Sequence, residues 1–192
     1  PAYRRIVVTA GTNVLTGGSD SLDLELMASL VDQIADLHRQ GMEVLLVTSG
    51  AIAAGRQVLS HRQNGGDIPF RQVLAAVGQG RLMHTYEQLF EEHNITVAQA
   101  LLSRGDITDR EGYLNVRNTL LALLDCKVVP IINENDVVAV EEIGVEVFGD
   151  NDNLSAMVAN LVDADLLIML SDIDGLYTAD PHQNPQAALI PR

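Results

Sequence analysis

An α/β fold with a largely parallel sheet covered by helices on both faces is what this 192-residue sequence predicts, and three observations carry the prediction. Five short apolar runs recur at 6–8, 42–47, 96–102, 128–132 and 166–170, mostly without polar alternation, as strands buried on both faces read. Segments of helical period separate most of them, the pattern of successive crossover connections. The turn after each run is polar, and open parallel sheets bind their ligands beyond the carboxyl ends of the strands.

In chain order, Ile6-Val7-Val8 is the first strand and ends at Gly11, with a loop at Gly17-Gly18. Asp23 can cap a helix running to Gln40, with Leu22 and Met27 spaced as a hydrophobic staple. Leu26, Leu30, Ile34 and Leu37 form the expected inner stripe, and Gly41 stops the helix. Met42 to Val47 is the second strand, and Thr48-Ser49-Gly50-Ala51 leads into a helix from Ile52 to about Leu59. A polar loop at 61–69 precedes a helix from Phe70 to His93, with a break expected near Gly78 and Gly80. Thr96–Leu102 is the third strand, Arg110–Leu124 a helix and Val128–Ile132 the fourth strand. Val137–Val140 and Val145–Phe148 read as a hairpin around Glu141-Glu142-Ile143-Gly144. Asn153–Leu161 is a helix and Leu166–Leu170 the fifth strand, after which 175–192 shows no recognisable closing element.

Hydrophobic residues at 47% and charged residues at 20% mark a globular chain of one domain, or two small ones. There is no apolar run of about 18 residues, the length a membrane span needs, and no signal-peptide core. Cys126 is alone, which fits a reducing cytoplasm. A net charge of −14 argues against nucleic acid and anionic membrane as partners. Lys127 is the only lysine, so phosphate chemistry has few such groups to draw on.

Neither of the two common glycine-rich nucleotide fingerprints follows a strand. Gly11-Thr12 and Ser49-Gly50-Ala51 could bring backbone N–H groups to an anion, although small residues also serve tight strand-to-helix turns. Asn133-Glu134-Asn135-Asp136 sets four polar residues at a strand end, where they are costly unless solvated or used. Asp150-Asn151-Asp152-Asn153 opens a helix and can hold an ammonium group, a metal ion or an anion, or act as a plain cap. Together the last two stretches would suit an ammonium-bearing ligand or Mg2+. The five histidines show no metal-ligand spacing.

Long motifs in a fixed order identify a resemblance. Val47-Thr48-Ser49-Gly50-Ala51-Ile52-Ala53-Ala54-Gly55, Leu74–Gln79, Asp109-Arg110-Glu111 with Asn115–Leu120, Pro130–Asp136, Gly149–Ser155 and Gly175–Pro181 resemble the glutamate 5-kinases, which have the amino-acid kinase fold. They look less like the carbamate, acetylglutamate, aspartate or uridylate kinases of that fold. The resemblance implies a three-layer αβα sandwich with a mainly parallel central sheet, and ATP-dependent phosphorylation of the γ-carboxylate of L-glutamate in proline synthesis. It implies Mg2+ with ATP, a cytoplasmic homo-oligomer and feedback inhibition by proline. By position, Ser49, Asp136 and Asn151 would hold glutamate, with Asp150 nearby. Asp152 would organise the catalytic groups, Ser171 and Asp172 would contact the nucleotide, and Gly11, Thr12 and Gly50 would line the phosphate path.

Two departures from the family pattern bear on activity. The first strand reads Val7-Val8-Thr9-Ala10-Gly11, so Thr9 stands where the family has a lysine that neutralises the transferring phosphate. Residues 1–192 are also expected to hold only the N-terminal and central portion of the kinase domain, without the later nucleotide loop, its lysine or a C-terminal RNA-binding-like (PUA-like) module. Losing one preorganised transition-state donor costs roughly 10²- to 10³-fold in rate. An impaired enzyme is therefore expected, or alternatively a non-catalytic homologue that binds glutamate or proline and acts by association.

Overall fold

A computed structural model describes residues 3–59, 68–138, 151–171, 175–179, 181 and 184–191. Among these residues five strands form one sheet: β1 (Arg5–Ala10), β2 (Glu43–Thr48), β3 (Val97–Leu102), β4 (Val129–Glu134) and β5 (Leu166–Leu170). Their order is β3-β4-β2-β1-β5 and every pairing is parallel. Among the described residues seven helices accompany them: α1 (Thr12–Thr16), α2 (Leu24–Arg39), α3 (Ala51–Val58), α4 (Ile68–Glu91), α5 (Arg104–Thr108), α6 (Arg110–Asp125) and α7 (Asn151–Leu161).

The strand order assigns each helix to a face. The chain moves one way across the sheet from β1 to β2 and from β2 to β3, then the other way from β3 to β4 and from β4 to β5. Crossovers of a single hand must then use opposite faces for the two directions. Accordingly, residues of α2, α3 and α4 share one core with Ile6, Val8, Val44, Leu46 and Ile131. Residues of α6 and α7 share the other with Val7, Leu45, Val47 and Ile132. Neighbouring strand residues thus feed different cores, which is why the strands read as continuous apolar runs. The result is the three-layer αβα sandwich expected from the sequence.

Local signals set the helix ends. The Asp23 carboxylate accepts from the backbone N–H groups of Glu25 and Leu26 at 2.9 and 3.1 Å, so it caps α2. Leu22 and Met27 are both buried beside that cap, as a staple requires. Four long helices end with a left-handed residue: Gly41 (φ 86°), Asn94 (φ 59°), Lys127 (φ 60°) and Asp163 (φ 51°). Each closes the same pair of bonds, as where Val128 N–H donates to Leu123 and Lys127 N–H to Leu124. At the start of β2, the buried Glu43 carboxylate pairs with Arg5 at 2.7 Å and Arg4 at 2.8 Å, and burial and these two arginines oppose each other at Glu43, leaving its pKa below the ordinary value.

Several elements differ from expectation. Leu26 is exposed; the buried face of α2 is Met27, Leu30, Val31, Ile34 and Ala35, one step round the helix. The helix α4 runs through Gly78 and Gly80 without a break. At Gly78 a Cβ would lie 1.7 Å from the Ala51 carbonyl oxygen, so the missing side chain serves close packing against α3 and not a kink. Two five-residue helices, α1 and α5, occupy segments read as loops, being too short to show a period. The helix α7 starts at Asn151, two residues before the expected start. Tyr177 and Leu189 form an antiparallel bridge in the segment that showed no closing element. Val137 and Val138 lie exposed in a turn and not in a strand, and the rest of the expected hairpin lies outside the described residues. No described helix is long and apolar enough to cross a membrane.

Candidate functional site

Between β4 and β2 the exits of adjacent strands part. The chain leaving β2 enters α3 and α4 on one face, while that leaving β3 or β4 passes to the opposite face. Such a switch in direction leaves a crevice beyond the strand ends. The pairs Leu46 with Ile131 and Val47 with Ile132 bring the two ends abreast. A cleft of about 290 Å³ opens there, lined from β2–α3 by Ser49, Gly50, Ala51, Ile52, Ala53 and Arg56. Asn133, Glu134 and Asp136 line it after β4, with Arg71 from α4, Asn151 from α7, and Thr12, Ser19 and Asp20 after β1.

The β2 wall is fixed by hydrogen bonds. Ser49 N–H donates to Ala10 at 3.1 Å. The Asn151 side-chain amide donates to the Thr48 carbonyl at 2.6 Å and to Ser49 Oγ. Since Ser49 Oγ accepts that bond, its own hydrogen is available to donate elsewhere. Gly50 has φ 98°, a conformation side chains disfavour, and a Cβ there would crowd Leu22 at 3.0 Å. Gly50 gives α3 no side-chain cap, and the first-turn residues Ala51, Ile52 and Ala53 line the cleft, where a helix N-terminus favours an anion.

The β4 wall is acidic. Asn133 donates to Gln79 Oε1 at 2.8 Å and accepts from Glu134 N–H at 2.9 Å, which holds the strand end. Burial, with the adjacent Asp136 charge, pushes the Glu134 carboxyl up to about 7. Burial also raises Asp136, opposed by the positive charge of Arg71. Arg56 stands 3.4 Å from Asp20 on the opposite wall. The cleft therefore presents carboxylates at one wall and guanidinium and helix N–H groups at others, the complement of a small zwitterion bearing further carboxylate.

Of the residues singled out in the sequence, Ser49, Gly50, Thr12, Asp136 and Asn151 converge on this cleft. Gly11 is the N-cap of α1 beside it. Asp152 follows Asn151 in the first turn of α7. Ser171 is exposed at the end of β5, two strands away from β2. Thr9 is fully buried, and its hydroxyl has no hydrogen-bond partner among the described residues. Asp150 and Asp172 lie outside the described residues. Arg56, Arg71 and Glu134 line the cleft but were not among the candidates. For Glu134 the signal was present, in the polar run that also supplied Asp136; for the two arginines there was none, because each is an isolated basic residue within a helix, outside any motif of the sequence.

A family model described as the amino acid kinase family matches residues 4–192. Curated relatives carry the name glutamate 5-kinase. One from Dehalococcoides mccartyi is 61% identical over 188 residues, covering 98% of this chain and 50% of the relative. One from Herpetosiphon aurantiacus is 57% identical with the same coverage. One from Proteus mirabilis is 54% identical over 186 residues, covering 97% of this chain and 50% of the relative. The chain spans about half the length of the curated relatives it matches.

Proposed function

The chain belongs to the amino acid kinase family, and from that premise we propose that it carries the glutamate-binding half of a glutamate 5-kinase, which phosphorylates the γ-carboxylate of L-glutamate with ATP. The observation that carries the reading is the Asn151 bridge to Thr48 and Ser49, which joins the start of α7 to the end of β2 at a zwitterion-sized cleft that Asn133, Glu134 and Asp136 also line.

The chemistry asked of these residues is modest. A glutamate γ-carboxylate has a pKa of about 4.3 and is ionised at neutral pH, so the nucleophile needs no general base. It needs alignment and relief of negative charge. Ser49 Oγ–H and the first N–H groups of α3 donate to carboxylate oxygens, with Arg56 and Arg71 supplying positive charge. Glu134, Asp136 and the Asn151 side-chain oxygen accept from the α-ammonium. Asp152 orders the catalytic groups, and Gly11, Thr12, Gly50, Ser171 and Asp172, with Asp150 near glutamate, complete the assignments. Among the described residues there is no group of three acidic, histidine or cysteine ligands. Magnesium would enter with ATP, an ion usually held in such sites by phosphate oxygens and water with one or two carboxylates. The same reading expects a cytoplasmic homo-oligomer open to inhibition by proline.

Thr9 favours a low rate in this chain. Its hydroxyl is buried and carries no charge toward a phosphate. The test is calorimetry with L-glutamate and 2-oxoglutarate, followed by a hydroxamate assay with Mg-ATP. L-Glutamate is expected to bind and 2-oxoglutarate, lacking the ammonium, to bind far more weakly. Hydroxamate formation is expected to be very slow. Folded protein that gives no heat with L-glutamate would sink the reading, and a brisk hydroxamate rate would sink the role given to Thr9.

A further inference from the structure

We propose that Tyr86, a core residue of α4, is a positioning residue for this cleft, acting through Thr48 on Ser49; the inference rests on the glutamate-site reading above. The phenol is fully buried and lies 2.7 Å from Thr48 Oγ1, itself fully buried at the end of β2. Thr48 Oγ1 also lies 3.2 Å from the Ser49 carbonyl, an acceptor only, so Thr48 donates there. Its single hydrogen is then used, and Tyr86 must be the donor of the bond they share. Burial pushes the phenol well above its ordinary pKa, so the proton stays on Tyr86 throughout the working pH range.

The relay runs one way: Tyr86 O–H to Thr48 Oγ1, and Thr48 O–H to the Ser49 carbonyl. With Ser49 N–H committed to Ala10 and Ser49 Oγ accepting from Asn151, every Ser49 polar atom is fixed except its hydroxyl hydrogen. The remaining direction is the cleft that Ser49 lines. Tyr86 thus helps hold Ser49 as a donor to ligand carboxylate. The other wall hangs on the same helix, since Gln79 accepts from Asn133 at 2.8 Å. Gly78 meanwhile seats α4 directly on the backbone of α3. One continuous helix therefore sets the spacing of both strand-end turns.

The variant that isolates the relay is Tyr86→Phe, which keeps the ring and its packing against Phe90, 6.5 Å away between centroids. Calorimetric L-glutamate affinity of the full chain is expected to fall about five- to tenfold, the worth of one buried hydrogen bond. In a Ser49→Ala background the same change is expected to move affinity less than twofold, because nothing is left to aim. Thr48→Ser, which keeps the hydroxyl, is expected to retain affinity, while Thr48→Val reproduces the Tyr86→Phe loss and serves as the test should Tyr86→Phe not fold. Wild-type affinity in Tyr86→Phe, or an equal loss repeated in the Ser49→Ala background, overturns the inference alone. Absence of glutamate binding by the wild-type chain overturns the site reading and the inference with it.

Discussion

Asn151 donates its side-chain amide to the Thr48 carbonyl at 2.6 Å, joining the first turn of α7 to the end of β2 across 103 positions of sequence. The same amide reaches Ser49 Oγ, so one group fixes both a backbone and a side-chain acceptor at the cleft. Removing it leaves the buried Thr48 carbonyl without that partner and frees Ser49 to turn. Asn151→Ala is expected to weaken L-glutamate binding by about tenfold or more, from one to two lost hydrogen bonds. Calorimetry on the folded variant checks this, and unchanged affinity would remove Asn151 from the site.

Glu134 gives the site a pH dependence. Its carboxyl titrates at about 7 in the folded chain, against 4.5 for the free group. Only the ionised form attracts an ammonium group, so L-glutamate affinity is expected to rise from about pH 6 to about pH 8. The folding linkage has the opposite sense. Between the two values the folded chain holds a proton that the unfolded chain has lost, so Glu134 lowers stability as pH rises from 4.5 to about 7. Glu134→Gln is expected to flatten both profiles. Calorimetry and urea titrations across this range measure them, and identical pH profiles in the variant would contradict the assignment.

Two glycines of α4 that look alike in sequence are expected to part on substitution. A Cβ at Gly78 would lie 1.7 Å from the Ala51 carbonyl oxygen, whereas one at Gly80 would meet nothing within 4 Å. Gly78→Ala must push α3 and α4 apart and is expected to cost roughly 3 kcal/mol or more, with loss of glutamate binding. Gly80→Ala is expected to raise stability by up to about 1 kcal/mol through helix propensity. Denaturant midpoints for the pair decide it; equal effects would mean that the helices do not pack backbone to backbone.

The single lysine sits in a conformation that suits glycine. Lys127 has φ 60° at the end of α6, and His38 meets its carbonyl at 3.2 Å. Lys127→Gly keeps that carbonyl and relieves the left-handed strain, for an expected gain of roughly 0.5–1 kcal/mol. At Gly41, the equivalent position of α2, Gly41→Ala is expected to lose a similar amount. Urea unfolding measures both, and a destabilised Lys127→Gly would show that the lysine side chain contributes more than its backbone costs.

Thr9 carries a buried hydroxyl with no partner among the described residues. Thr9→Val keeps the shape and removes the orphan group, with an expected gain of about 1–3 kcal/mol. Glutamate affinity should not change, because the side chain does not line the cleft. A loss of stability on thermal unfolding would mean that the hydroxyl is satisfied.

The five strands, the two-faced burial of the sheet and the chemistry of its turns are legible in the residues alone. Continuous runs such as Val44–Val47 admit water on neither face, and Asp23 or Ser49-Gly50 act within a few residues of where they stand. The sequence could not determine which strand ends meet. Apolar strands carry no label for their neighbours, and order follows from which helix face fits which side of the sheet. Only the tertiary structure set β4 beside β2, pairing Leu46 with Ile131, and so brought Asn133–Asp136 to Ser49. The same packing turned Arg56 and Arg71 toward that crevice, and made Tyr86, which reads in sequence as an ordinary core aromatic, the donor at the end of β2.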